Sequence, residues 1–222
     1  MKHTQKGFTL VEIAIVLVII GLLLGGILKG QEMIIQAKIK NAIADFSGIS
    51  AAYYGYQDRY RATPGDDNLA TRWGATVVYG NGDRVLTGTY NAACPAAAVQ
   101  GTTVESCLWW EHLRRSGFVS GAGPVQPGNA FNGTIGVQTG DAGATIAATL
   151  NTTAATGGFT NLIMCSSNLP DKVAIALDVQ MDDGNVNTGA VRGVEGTATL
   201  AATAASAFSE TGTNTYTLCR QF

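Results

Sequence analysis

The chain has 222 residues, with 14 Lys plus Arg against 16 Asp plus Glu and a formal net charge of −2. So even a balance gives no general electrostatic grip on a polyanion, and no nucleic-acid partner is expected. With two histidines and no GxSxG, HExxH or P-loop pattern, the common enzyme signatures lack their residues, and no catalytic activity is expected.

The chain begins with a short basic leader, Met1 to Gly7, containing Lys2 and Lys6. From Phe8 to Leu28 it is almost wholly apolar, reading FTLVEIAIVLVIIGLLLGGIL. As a helix this stretch is long enough to cross the roughly 30 Å hydrocarbon core of a bilayer. Glu12 is the ionisable residue inside it. A carboxylate in lipid is costly without a partner, so the position asks for one. An ordinary secretory signal ends its apolar core in small residues at the cleavage site and carries no acid within it. Here the small residue, Gly7, precedes the apolar run. Cutting between Gly7 and Phe8 removes the basic leader, leaves the apolar segment on the mature chain and frees an amine on Phe8. Glu12 then lies about 6 Å of helical rise from that amine. Between helices packed side by side, each carboxylate can meet the next subunit's ammonium, which favours assembly at a fixed axial stagger.

The string Lys6-Gly7-Phe8-Thr9-Leu10-Val11-Glu12 resembles the prepilin motif of type IV pilins and of the pseudopilins of type II secretion. The resemblance implies cleavage after Gly7 by a membrane prepilin peptidase, N-methylation of Phe8, and Glu12 as the assembly residue that neutralises a neighbouring subunit's amine. It implies as partners other pilins in a homo- or hetero-oligomeric filament, and an inner-membrane assembly platform. One departure is the absence of a proline near the end of the apolar run, since none occurs before Pro64. Gly21, Gly25, Gly26 and Gly30 can weaken the helix instead, and Gly21 with Gly25 makes a GxxxG pair suited to close helix approach.

Lys2 and Lys6 keep the leader cytoplasmic by the positive-inside rule. The expected location is a single pass of the bacterial inner membrane, followed by a periplasmic or extracellular filament. The four cysteines, Cys94, Cys107, Cys165 and Cys219, suit that oxidising side. They allow three pairings. Cys94 with Cys107 would staple one loop. The resemblance implies Cys165 with Cys219, tying the C-terminus to an inner strand. Zinc is disfavoured, because no CxxC pair occurs.

Beyond the span, Ile35, Ile39, Ala42, Phe46, Ile49, Tyr53, Tyr56 and Tyr60 recur in steps of four and three, an apolar stripe of helical period. The helix is expected to run from about Phe8 to Arg61 and to stop at Thr63-Pro64-Gly65. A loop region follows from Pro64 to Gly101, then a short helix from Glu105 to Ser116 with Gly117 as its stop. Trp109 and Trp110 are expected to pin that helix to the domain, and His112 to be a packed or surface residue. Strands are expected at Thr134–Thr139, Thr160–Cys165, Lys172–Val179, Ala190–Val194 and Thr215–Arg220, the third on the alternation of Val173, Ile175, Leu177 and Val179. The result is an α+β, pilin-like layout, with the long helix packed on an antiparallel sheet. It divides into leader 1–7, membrane or filament-core helix 8–28, amphipathic continuation 29–61 and exported domain 62–222.

Two loops crowd oxygen ligands. Asp182, Asp183, Asn185 and Asn187 form the better calcium candidate; Asp66, Asp67, Asn81 and Asp83 form a second set. Neither has the full EF-hand spacing, and Asp, Asn and Gly also build turns without a metal. No other cofactor is expected. The functional expectation is a structural subunit of a type IV filament, either a pilus or a pseudopilus. The alternatives are a type II secretion pseudopilin specifically, or a membrane-anchored periplasmic binding protein or enzyme.

Overall fold

The computed structural model describes residues 7–140, 159–196 and 207–222. The chain divides into two compact units between Lys38 and Ile39.

Helix α1, Leu10–Tyr60, is continuous. Its sequence contains no proline, and its glycines do not break it. The helix ends where Arg61 turns left-handed at φ 57°, its N–H still bonded to the Gln57 carbonyl at 2.8 Å, ahead of the Thr63-Pro64 stop. In the first unit, the side chains from Phe8 to Leu28 are exposed around the whole circumference of the helix. In the second unit one face is buried: Ile39, Ala42, Phe46, Ile49, Tyr53 and Tyr56, the 3.6-residue stripe read from sequence. Ile35, the first member of the expected stripe, is exposed.

The segment after α1 holds one short 3-10 turn, Ala70–Trp73, and then α2, Glu105–Arg115. Strands β1 (Ile135–Thr139), β2 (Leu162–Pro170), β3 (Val191–Glu195) and β4 (Thr215–Gln221) form one sheet in the order β1-β2-β4-β3. All three pairings are antiparallel. Strand β2 runs past the expected end at Cys165, because Asn168 in the left-handed region (φ 59°) forms an irregularity that lets pairing with β4 resume at Leu169.

One expected strand is a helix. Lys172–Val179 lies within α3, Asp171–Met181. The alternation was real but short, and over two turns the same residues also satisfy a helical stripe: Val173, Ala174 and Leu177 are buried, while Val179 is 60 % exposed. Pro170 immediately before the first turn and Asp171 within it are helix-start signals, and they outweigh the apparent period of two.

Two apolar clusters cover the helix-facing side of the sheet. One joins Phe46, Ile49, Tyr53 and Tyr56 of α1 to Trp109, Trp110 and Leu113 of α2 and to Ile135, Val137, Leu162 and Met164 of the sheet. The other joins Ile39 and Ala42 of α1 to Val173, Ala174 and Leu177 of α3 and to Leu169, Val191, Tyr216 and Leu218. Ile163 and Cys165 alternate to the opposite face, where they pack with Tyr90, Phe159, Val194 and Cys219.

Both disulfides take the expected pairing. Cys94–Cys107 spans 13 residues of sequence and anchors the loop region to α2. Cys165–Cys219 spans 54 residues and joins directly opposed positions of the two central strands. Loop-closure entropy scales with the logarithm of loop length and gives about 3 kcal/mol for the shorter bridge and about 4 kcal/mol for the longer. Replacing Cys165 and Cys219 by alanine is therefore expected to lower the denaturant midpoint more than replacing Cys94 and Cys107. Denaturant titration of the two double variants checks this, and the reverse order would contradict it.

Candidate functional site

The start of α1 is held by its own side chains. The Thr9 N–H and Thr9 Oγ1 both donate to Glu12 Oε2, at 2.7 and 2.8 Å, and the Glu12 N–H donates to Thr9 Oγ1 at 3.3 Å. This is a reciprocal capping box, Thr at the N-cap and Glu three residues on, and it places a carboxylate at the positive end of the helix dipole. Sequence reasoning read Glu12 as a partner for the Phe8 amine, weakly within one subunit or better across to a neighbour, and not for Thr9. The Thr-x-x-Glu spacing that pairs it with Thr9 was present in Thr9-Leu10-Val11-Glu12.

Past that cap the helix is apolar on every side. Phe8 is 83 % exposed, and the best 18-residue window has a mean hydropathy of 2.8. A helix apolar all round needs a lipid or helical environment about it. By length and composition it is the one helix among the described residues able to cross a membrane. A Cβ added at Gly21, Gly25, Gly26 or Gly30 would meet nothing within 4 Å, so the chain's own packing does not require these glycines. The apolar run ends at the exposed Lys29–Glu32 ion pair, 2.8 Å long.

The polar residues of the loop region serve the fold. His112 is fully buried: its Nδ1 accepts from the Gly65 N–H at 2.9 Å, and its Nε2 lies 2.9 Å from the Val78 carbonyl. Only the neutral Nε2–H tautomer satisfies both. Asp66 accepts from the Gly82 and Arg84 N–H groups, each at 2.6 Å. Asp67 accepts from the Tyr56 hydroxyl at 2.6 Å, the Leu69 N–H at 2.8 Å and Arg72 at 3.1 Å. Asn81 and Asp83 bond each other across an exposed turn. The second candidate calcium set is thus occupied with holding loops together.

In the first set, Asp183 accepts from the Asn185 N–H and the Thr188 hydroxyl, and Asn185 accepts from the Asn187 N–H. The carboxylates that converge are Asp182, Asp183 and Asp178, with ligand atoms all within 4.8 Å of one another. Asp178 escaped sequence reading, because a strand would have carried it away from the loop. On a helix the spacing of four from Asp178 to Asp182 returns it.

Together, a long helix that is apolar all round in its first unit and an antiparallel sheet packed on its amphipathic part define a pilin-like α+β protein. A family model described as the prokaryotic N-terminal methylation motif matches residues 2–28. The chain therefore carries the prepilin-type signature of type IV pilins and pseudopilins, consistent with a single-pass membrane anchor, and the motif points to a structural subunit rather than an enzyme. No curated protein and no solved structure matches the chain.

Burial holds the His112 imidazole below its ordinary value of 6.5, against the opposing pull of its bond to Val78 and of Asp67 and Glu111. As pH falls through about 6.5, the unfolded chain takes up a proton that the folded chain refuses, so this residue's contribution to stability is lost on acidification. Thermal unfolding at pH 7.5 and pH 5.5 is expected to show a larger acid-induced loss in wild type than in His112→Gln. An equal loss in both would contradict it.

Proposed function

We propose that the chain is a structural subunit of a type IV filament, a pilus or pseudopilus, made as a prepilin and built into the filament through its N-terminal helix. The observation that carries this reading is the conjunction at one helix end: an apolar surface exposed on all sides, one acid within it, and the prepilin signature over residues 2–28. In this reading residues 1–7 are a leader retained in the cytoplasm by Lys2 and Lys6 and removed by prepilin peptidase between Gly7 and Phe8. The new amine of Phe8 is then N-methylated. Residues 8–28 wait in the inner membrane and later form the filament core. Residues 29–61 continue the helix, and residues 62–222 form the exported domain, where Cys94–Cys107 and Cys165–Cys219 can be oxidised.

The capping box adds a physical step. In the lone subunit Glu12 is satisfied by Thr9, which lowers the cost of carrying a carboxylate in lipid while the subunit waits. On docking, the ammonium of a neighbouring subunit offers the same carboxylate a charged donor, and charge-assisted hydrogen bonds are stronger than neutral ones. The exchange favours the docked position in which Glu12 and a Phe8 amine meet, fixing the stagger. The assembly platform supplies the neighbours; the protein itself performs no turnover.

Glu12→Ala is expected to remain in the membrane at wild-type level, with both disulfides formed, while its amount in sheared filaments falls about tenfold or more, a free-energy difference of at least about 1.4 kcal/mol. Fractionation and immunoblotting read both quantities, and mass spectrometry of the mature N-terminus reads cleavage and methylation at Phe8. Wild-type incorporation of Glu12→Ala into filaments would refute the role given to the acid. An unprocessed N-terminus on assembled subunits would refute the maturation.

A further inference from the structure

The end of α1 and the loop after it border a cavity of about 560 Å³. Its walls carry two guanidinium groups, Arg61 and Arg84, and two planar amides, Gln57 and Asn68. A second hollow of about 280 Å³ shares Gln57 and Arg84 with the first, and adds Asn161 and the rings of Tyr54 and Phe222. The two form one groove, with Arg61 at one end, an aromatic wall at the other and Arg84 between them. Its frame is fixed from behind, because Asp66 accepts the Gly82 and Arg84 N–H groups, each at 2.6 Å. The polar side chains that face it are free. The Arg84 guanidinium and the Asn68 amide have no hydrogen bond or ion pair with any described residue. Arg61 has one loose pairing, 3.8 Å from Asp58, with both side chains 84 % exposed.

Both arginines stand where the backbone would prefer another residue. Arg61 and Arg84 lie in the left-handed region, at φ 57° and 69°, which glycine adopts with least strain. Strained positions of this kind cluster at ligand clamps, and here no contact of the Arg84 side chain within the chain offsets the strain. The charge of the groove also narrows its ligand. Its acid, Asp66, has both oxygens committed to backbone N–H groups, which leaves the two guanidiniums to set the preference for an anion. The bordering helix end is the C-terminal one, where unsatisfied carbonyls collect and the dipole is negative. Such an end disfavours a phosphate dianion. It suits a single negative charge on a ligand rich in hydroxyl donors.

We propose that this groove binds a carboxylated saccharide of the uronic acid class. The planar fork of Arg84 matches a carboxylate in geometry, and Arg61 adds a second positive charge nearby. The amides of Gln57, Asn68 and Asn161 each offer a donor and an acceptor, as sugar hydroxyls do. Tyr54, 53 % exposed, presents an aromatic face against which the C–H side of a sugar ring packs. The larger hollow alone falls within the range of volumes that small-molecule sites occupy. An acidic peptide is served less well. The arginine end is walled by a helix end and a loop, not by a strand, so an extended chain finds no ladder to join.

The test uses the full chain in micelles of a detergent without a sugar headgroup, titrated calorimetrically with trigalacturonate. Maltotriose, inorganic phosphate and triglutamate are titrated in parallel. Trigalacturonate is expected to bind at least about tenfold more tightly than any of the three, the margin that a charge-assisted carboxylate contact together with sugar contacts supplies. Arg84→Gly relieves the left-handed backbone, so it is expected to melt at or above the wild-type temperature while binding about tenfold or more weakly. Tyr54→Ala, a change at an exposed ring, is expected to weaken binding about threefold or more. The proposal is overturned if trigalacturonate gives no heat up to about 10 mM, beyond the weak end of specific affinities. It is equally overturned if Arg84→Gly binds as wild type does, or if maltotriose binds as tightly. Equal binding of triglutamate would assign the groove to an acidic peptide, and equal binding of phosphate would leave only a general anion site; either overturns it. These readouts are independent of filament assembly, so failure here leaves the subunit reading intact and the converse also holds.

Discussion

A single helix has to satisfy two environments, and the way its side chains are distributed constrains everything else in the chain. Along α1 the apolar residues first surround the axis and then, from Ile39, withdraw to one face. An all-round apolar surface cannot be satisfied by a domain packed on one side, whereas a stripe can. The first part therefore requires an external apolar medium, and the second requires a sheet. The sheet supplies what the stripe needs, because β1 and β2 place Ile135, Val137, Leu162 and Met164 together on one surface. The Lys29–Glu32 pair lies between the two regimes, exposed and close to the end of the apolar run. It cannot be accommodated in lipid as easily as the residues before it, so it limits how far the first regime extends.

The loop region between α1 and α2 poses the complementary problem, since a long stretch without regular structure leaves backbone groups to be satisfied one by one. The solution lies in a few buried polar side chains. Asp66 gathers the Gly82–Arg84 turn, Asp67 links the α1 residue Tyr56 to Leu69 and Arg72, and His112 of α2 bridges Gly65 and Val78. Gly65 is glycine for a geometric reason: at φ 84° a Cβ would come within 2.4 Å of the Glu105 carbonyl. The Cys94–Cys107 bridge adds a covalent anchor to α2 in the same region. Residues that resembled metal ligands in sequence thus act as substitutes for secondary structure.

The long helix, the short α2 and four strands were legible because each rests on a local signal: a sustained period, a stop at Pro64 or Gly117, a run of alternation. The Cys165–Cys219 pairing, 54 residues apart, came instead from the family resemblance. What escaped required either a competing local signal or a three-dimensional one. Lys172–Val179 satisfied both periods at once, and the decision between them lay just outside the window, in Pro170 and Asp171. Misassigning that segment concealed Asp178, because the distance from Asp178 to Asp182 is set by helical geometry. The capping box was the opposite case: its spacing was visible in Thr9 to Glu12, but the acid's position in an apolar run pointed to the Phe8 amine as its partner. At Asp66, Asp67, Asn81 and Asp83 the sequence could not show which donors each carboxylate meets.

Two carboxylates far apart in the chain are treated in opposite ways. Glu12 is exposed on an apolar helix surface, whereas Asp178 is buried within the domain. Glu12 is given neutral donors by Thr9, an arrangement a stronger cationic donor can displace. Asp178 is given none, although the domain supplies donors to every other buried acid among the described residues. Chance burial does not explain so consistent a pattern with one exception, because an unpaired acid is easily replaced by an amide or an apolar residue of similar size. Asp182 and Asp183 add charge of the same sign instead of relieving it. The relief left to Asp178 is a proton, since burial and those two charges push its carboxyl up to about 7.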